Sequence, residues 1–370
     1  MDDIRRVRPE VEDFEAYSPG LTIDEIKARF GLDAVIKMAS NENPLGTSPV
    51  VQKVLCDKAG LAFRYAQAGT PRLAAAIAGH HGLPAGRVVA GNGSDEIIDL
   101  LIRVKARPGR DNIIAFKPCF AMYRLQARLC GVEFRQAPLG PGFSFDPDAL
   151  LALADENTAI CFVTTPDNPS GYAPPVAVLE RLARELPPQC LLVLDEAYMD
   201  FAEPQEAYSL LPRLEEFPRV AVLRTFSKMY GLAGLRLGYG LLPEWLADYC
   251  LRVKPPFSVN ILAEEAGLAA LRDDDFVRAT REAVRRGREF LARELGALGC
   301  TVWPSQANFF IMDLPAGAAL DAKGVFEALL ARGIILRPLA SYGLAASLRV
   351  SVGNEQENAA LVRALAEVLA

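Results

Sequence analysis

The chain has 370 residues, 51% of them hydrophobic, and 40 Lys and Arg against 46 Asp and Glu give a formal charge of -6. That length and apolar content suggest two packed domains. The charge balance, with no Lys/Arg block, argues against nucleic acid or an anionic membrane as partner, because both select for clustered positive charge, and leaves small molecules as the expected partners.

The opening residues, Met1-Asp2-Asp3-Ile4-Arg5-Arg6, run into polar sequence without the apolar core of a signal peptide, and no later stretch is apolar enough to span a bilayer. A cytoplasmic protein is expected. Residues 1–40 are too few for a domain and hold no helix-turn-helix, so they are expected to pack with the C-terminal domain. His80 and His81, the only histidines, stand before Gly82 at the end of an Ala-rich helical stretch. Adjacent helical residues diverge in direction and cannot form an i, i+4 zinc pair, so no metal site is expected. The seven cysteines are scattered, with no metal or disulfide spacing, and read as reduced, mostly buried thiols.

From residue 87 to 242 short apolar runs alternate with helical stretches, the pattern of an α/β domain with a mostly parallel central sheet. The predicted strands are 88–90, 113–116, 159–164, 191–194, 220–224 and 235–242, and their unbroken apolar character predicts cover on both faces. Beyond Pro255-Pro256 come a helical stretch and a long amphipathic helix over 273–298. Predicted strands at 301–303, 308–313, 333–337 and 348–352 follow, with helices at 323–332 and 355–369. The predicted division is therefore 1–40 as an N-terminal segment, 41–255 as the large domain and 256–370 as a smaller α+β domain that includes the connecting helix.

Ligands of open α/β sheets bind beyond the carboxyl ends of the strands, so the residues there are the candidates. Gly91-Asn92-Gly93-Ser94-Asp95-Glu96 leads into a helix whose free N–H groups suit a phosphate. The dinucleotide fingerprint would need a third glycine where Glu96 stands, which disfavours a dehydrogenase. Asp195 closes the run 191–194, with Tyr198 following, and a carboxylate there can keep a heterocyclic nitrogen protonated. Taken singly, Asp195 also reads as a helix cap and Asn168-Pro169 as a turn. Thr225-Phe226-Ser227-Lys228 follows the run 220–224. The neighbours Phe226, Met229 and Tyr230 would desolvate Lys228 and lower its pKa toward nucleophilic use. Arg337 and Arg349 interrupt apolar strands, either as internal ion pairs or as a clamp for carboxylate or phosphate.

Taken together, Ser227-Lys228 with Gly234, Arg236 and Gly238, Asp195 with Tyr198, and Pro166-Asp167-Asn168-Pro169-Ser170-Gly171 resemble the fold-type-I, class I/II aminotransferases. Asn41-Glu42-Asn43-Pro44-Leu45-Gly46, the Gly91 to Glu96 turn and Tyr342-Gly343-Leu344 leading to Leu348-Arg349-Val350 are similar to the histidinol-phosphate aminotransferases within them, nearly end to end.

The resemblance implies pyridoxal 5'-phosphate as cofactor, with Lys228 as its Schiff-base lysine and proton carrier and Asp195 on the pyridine nitrogen. It also implies Asn168 and Tyr198 on the ring hydroxyl oxygen, and Phe120 stacked on the ring, where composition alone would make Phe120 a core aromatic. Ser94, Asp95, Ser227 and Arg236 would hold the phosphate, joined by Tyr65 from a second subunit of a homodimer. The residue after Tyr65 is Ala66 where the family usually has proline; Asp167 and Ser170 stand where Asn and Thr are common. Arg337 and Arg349 would bind substrate. The implied reaction is transamination between histidinol phosphate and 2-oxoglutarate in histidine biosynthesis. An aromatic-amino-acid aminotransferase and a threonine-phosphate decarboxylase are the alternatives on the same scaffold.

Overall fold

The computed structural model describes residues 7–12, 14 and 20–370. In chain order its strands are β1 (Ile36–Lys37), β2 (Val88–Gly91), β3 (Asn112–Lys117), β4 (Glu133–Pro138), β5 (Thr158–Thr164), β6 (Leu191–Asp195), β7 (Val220–Thr225) and β8 (Gly238–Leu241), then β9 (Thr301–Val302), β10 (Phe309–Asp313), β11 (Ile334–Ile335), β12 (Arg337–Pro338) and β13 (Ser347–Ser351).

Seven of these form the central sheet, in the order β2-β8-β7-β6-β5-β3-β4. The pairs among β4, β3, β5, β6 and β7 are parallel, while β8 runs antiparallel to both β7 and β2. Successive residues of the inner strands divide between two cores. Ile114, Cys161, Val163, Leu192, Leu194 and Val222 enter one, and Ile113, Ala115, Ile160, Phe162, Val193 and Leu223 the other. Residues one apart on a strand face opposite sides of the sheet, so two covered faces require the unbroken apolar runs seen in the sequence.

Two departures from the sequence reading have local causes. Strand β4 was not predicted: it lies at the sheet edge, where Glu133, Arg135 and Gln136 interrupt the apolar pattern as edge strands permit. The expected strand 235–242 shortens to β8, because Ala233–Leu235 forms a single 3-10 turn and Arg236 takes a left-handed backbone with φ 54.

Helix Asp274–Ala297 begins where Asp273 accepts a hydrogen bond from the Phe276 N–H. Its Leu291 and Leu295 pack with Phe310, Met312, Leu348 and Val350 of the antiparallel sheet β12-β13-β10-β9 and with Leu361 and Leu365 of helix Glu355–Leu369. The expected strand 333–337 divides at Leu336: β11 pairs with β1 of the N-terminal segment, and β12 pairs with β13. Ile26 packs with Ala39, Leu330 and Ile335, which seats residues 23–39 against this smaller unit. Helix Pro71–His81 ends at left-handed Gly82, the C-terminus expected for the two histidines. All seven cysteines are free thiols, four of them buried. Among the described residues no helix is long and apolar enough to cross a membrane.

Candidate active site

One cavity opens at the carboxyl edge of the central sheet. It is lined by Ser94, Asp95, Phe120, Thr164, Asn168, Asp195, Ala197, Tyr198, Thr225, Ser227, Lys228 and Arg236. The topology explains why these residues meet. Parallel β5, β6 and β7 deliver Thr164, Asp195 and Thr225 at their C-terminal ends. Because β8 runs the other way, it begins at this same edge, and Arg236, two residues before its first residue Gly238, arrives there.

At one end of the cavity helix Ser94–Lys105 starts from Gly93, which has no side chain to cap the first N–H groups of the helix. Those unpaired donors and the helix dipole make an anion site. Close backbone approach builds it: a Cβ on Gly238 would stand 2.4 Å from the Ser94 nitrogen, and one on Gly93 2.5 Å from the Arg236 guanidinium. Arg236 donates to Asp95 at 3.0 Å.

At the centre stands Lys228, whose Nζ donates to the Ser40 carbonyl at 3.1 Å. Burial, helped by the positive charge of Arg349, lowers its pKa to about 8. Asp195, on the neighbouring strand, is 3% exposed, and burial pushes its carboxyl up to about 6 against the hydrogen bond from Tyr123. Tyr198 accepts from Asn41 at 3.1 Å, and burial pushes its hydroxyl up to about 12. Phe120, half-buried, lines the cavity instead of disappearing into a core.

Asn168 is used through its side chain: Arg349 donates to its Oδ1 at 2.6 Å and to the Ala39 carbonyl at 2.9 Å. Arg337 and Arg349 are register partners on β12 and β13, so they share one face of that sheet. The cavity thus unites nine of the twelve residues singled out in the sequence. Arg349 touches it through Asn168, while Arg337 and Tyr65 are not part of its lining. Tyr65 is 79% exposed and stacks on Phe257, with ring centroids 4.6 Å apart.

Residues 33–365 match the family "Aminotransferase class I and II". The chain belongs to the class I and II aminotransferases. It is 66% identical to the histidinol-phosphate aminotransferase of Nitratidesulfovibrio vulgaris, over 98% of this chain and 96% of the relative. To that of Oleidesulfovibrio alaskensis it is 61% identical, over 99% and 96%. Among solved structures, the Sinorhizobium meliloti histidinol-phosphate aminotransferase in complex with pyridoxal-5'-phosphate matches with a TM-score of 0.88 and 26% identity, covering 99% of this chain and 98% of that one. The fold is that of the fold-type-I aminotransferases.

The donor set of this aminotransferase suits pyridoxal phosphate. Uncapped helix N–H groups and Arg236 suit the phosphate, a buried carboxylate suits a protonated ring nitrogen, and a desolvated lysine suits the carbonyl. Sequence reasoning missed Thr164, Thr225 and Ala197 in the lining, and Tyr123 behind it. It also gave no role to Asn41, although a left-handed asparagine in Asn41-Glu42-Asn43-Pro44 is a turn signal.

Proposed function

We propose that this aminotransferase uses pyridoxal 5'-phosphate to transfer the amino group of L-histidinol phosphate to 2-oxoglutarate, a step of histidine biosynthesis. The observation that carries the reading is Asp195 at the end of β6 and Lys228 just past the end of the adjacent β7 facing one cavity, each with a pKa moved toward neutrality. When bound, the cofactor supplies a carbonyl for covalent capture of the amine and an electron sink for the pair left by deprotonation.

The chain's own groups do the rest. The N–H groups of Ser94 and Asp95, with Ser227 and Arg236, anchor the cofactor phosphate, and Phe120 packs against its ring. Asp195 holds a proton on the ring nitrogen through its carboxylate charge, while Asn168 and Tyr198 bind the ring hydroxyl oxygen. Lys228, whose pKa is lowered to about 8, is neutral far more often near physiological pH than an exposed lysine, so its Nζ can take the proton from the substrate carbon and return it to the cofactor carbon. Arg337 and Arg349 form the anion clamp. Guanidinium binds carboxylate and phosphate in the same bidentate manner, so one pair serves glutamate and the phosphate of histidinol phosphate alike.

The working unit is a cytoplasmic homodimer in which Tyr65 of one subunit reaches the cofactor phosphate of the other. Supporting this, Tyr65 and Phe257 are both exposed and stack on each other with ring centroids 4.6 Å apart, an aromatic pair open to a second subunit.

The test is the visible spectrum of purified enzyme mixed in turn with L-histidinol phosphate, L-phenylalanine, O-phospho-L-threonine and L-glutamate, with product analysis. Rapid conversion to the amine form of the cofactor by histidinol phosphate and glutamate is expected. Faster conversion by phenylalanine would make the protein an aromatic aminotransferase, carbon dioxide release from phosphothreonine a decarboxylase, and absence of a visible cofactor band would end the pyridoxal reading.

A further inference from the structure

Asp195 is gripped from behind the cavity. The Tyr123 hydroxyl donates to Asp195 Oδ2 at 2.6 Å and stands 2.8 Å from Thr164 Oγ1. An ionised carboxylate only accepts, so the one phenolic proton is committed to Asp195, and Thr164 must supply its own proton to the phenol oxygen. The result is a directed chain from Thr164 through Tyr123 to Asp195. The other carboxylate oxygen accepts only at the longer distance of 3.2 Å from the Ala197 N–H.

The chain is also held rigidly. Tyr123 is completely buried, lies flat on Phe162 at 4.4 Å and 4°, and meets Phe120 edge-on at 5.7 Å. Thr164 and Asp195 are register partners on β5 and β6, so the sheet fixes both ends of the chain. Burial holds the phenol well above its ordinary pKa, so Tyr123 remains a donor across the working pH range.

We propose that Tyr123 is a positioning residue that acts through Asp195: its hydroxyl, polarised by Thr164, keeps negative charge on the carboxylate and thereby keeps the proton on the ring nitrogen of the cofactor. This rests on the pyridoxal reading of the site. A carboxylate facing a pyridine nitrogen has two arrangements, a charged pair with the proton on nitrogen and a neutral pair with the proton on oxygen. A donor on a carboxylate oxygen stabilises the charged pair more than the neutral one, because hydrogen bonds to an ionised acceptor are stronger. Without it the balance moves toward the neutral pair, and the ring then withdraws electrons poorly. Phe120 and Tyr123 lie one helical turn apart, so a single turn contributes both a lining ring and this support.

The experiment uses holoenzyme reconstituted with ring-¹⁵N cofactor, as wild type, Tyr123→Phe and Thr164→Val, read by the ¹⁵N chemical shift and by steady-state kinetics. Wild type should show a protonated ring nitrogen. Tyr123→Phe should move the shift toward the unprotonated value, lower kcat about tenfold or more with KM for the amino donor unchanged, and move the acid limb of the kcat profile to higher pH. Thr164→Val should move the shift the same way by less, and it decides the matter alone if Tyr123→Phe does not fold. Unmoved shifts in folded variants beside a protonated wild type would overturn the role of Tyr123. An unprotonated wild-type ring, or no cofactor band, would instead overturn the reading of the site.

Discussion

Substituting Lys228 by methionine removes an ammonium group whose pKa burial and Arg349 hold at about 8, against an ordinary 10.5. A lysine with a depressed pKa destabilises the fold while it is charged, and the shift corresponds to about 3 kcal/mol. The full penalty acts below the folded pKa. Between about 8 and 10.5 the unfolded chain binds more protons than the folded one, so stability rises with pH, and above 10.5 the penalty is gone. Methionine fills a similar volume without charge. It forfeits the hydrogen bond to the Ser40 carbonyl, worth about 1 kcal/mol, leaving a net gain of about 2 kcal/mol at pH 7. Urea denaturation of cofactor-free wild type and Lys228→Met, at equal protomer concentration and at several pH values, measures this. The expected result is a variant that is inactive yet more stable at pH 7, with an advantage that shrinks toward pH 10.5. A variant less stable at pH 7, or a difference independent of pH, would refute the argument that Lys228 is held desolvated.

Three further outcomes follow from the geometry. Asp195→Asn should retain the cofactor but lose kcat by about 10² or more, as removal of a preorganised charge does, measured by single-turnover spectroscopy. Arg224 is 3% exposed and ion-paired at 2.7 Å with both Glu196 and Asp200, so Arg224→Met should lower urea stability by about 3–5 kcal/mol by stranding the buried Glu196. Tyr65→Ala should leave protomer stability nearly unchanged, because the side chain is 79% exposed, yet weaken cofactor binding; mixing it with Lys228→Ala should restore some activity through hybrid dimers carrying one intact site.

What the sequence revealed depended on how local the signal was. The strand ends that lead to Asp195, to Ser227-Lys228 and to the Gly93-Ser94 turn were readable because an apolar run breaking into polar residues marks a sheet edge within a few positions. Edge strand β4 was invisible for the opposite reason, since Glu133, Arg135 and Gln136 obey no apolar rule. Arg236 was named in the sequence through the family resemblance and not through the apolar pattern, and the topology supplies the reason. Arg236 belongs to the site only because β8 is reversed, and an apolar run does not announce its direction.

The supporting layer was hidden for a deeper reason. Tyr123 lies in a helix as an ordinary amphipathic aromatic, and Thr164 ends a strand as an ordinary β-branched residue; each has a sufficient structural explanation, and only their meeting at Asp195 gives them another. Arg224 behaves in the same way. Its charge in an apolar strand is conspicuous, but its partners Glu196 and Asp200 lie on the connection after β6, so the pair ties the ends of β6 and β7 together immediately beside Asp195 and Thr225. Groups that touch a ligand occur where the chain pattern breaks, whereas groups that hold those groups in place sit within patterns that remain intact. A sequence read for interruptions therefore finds the first kind and passes over the second, and that second set is where substitutions should alter kcat and pH dependence with little change in substrate affinity.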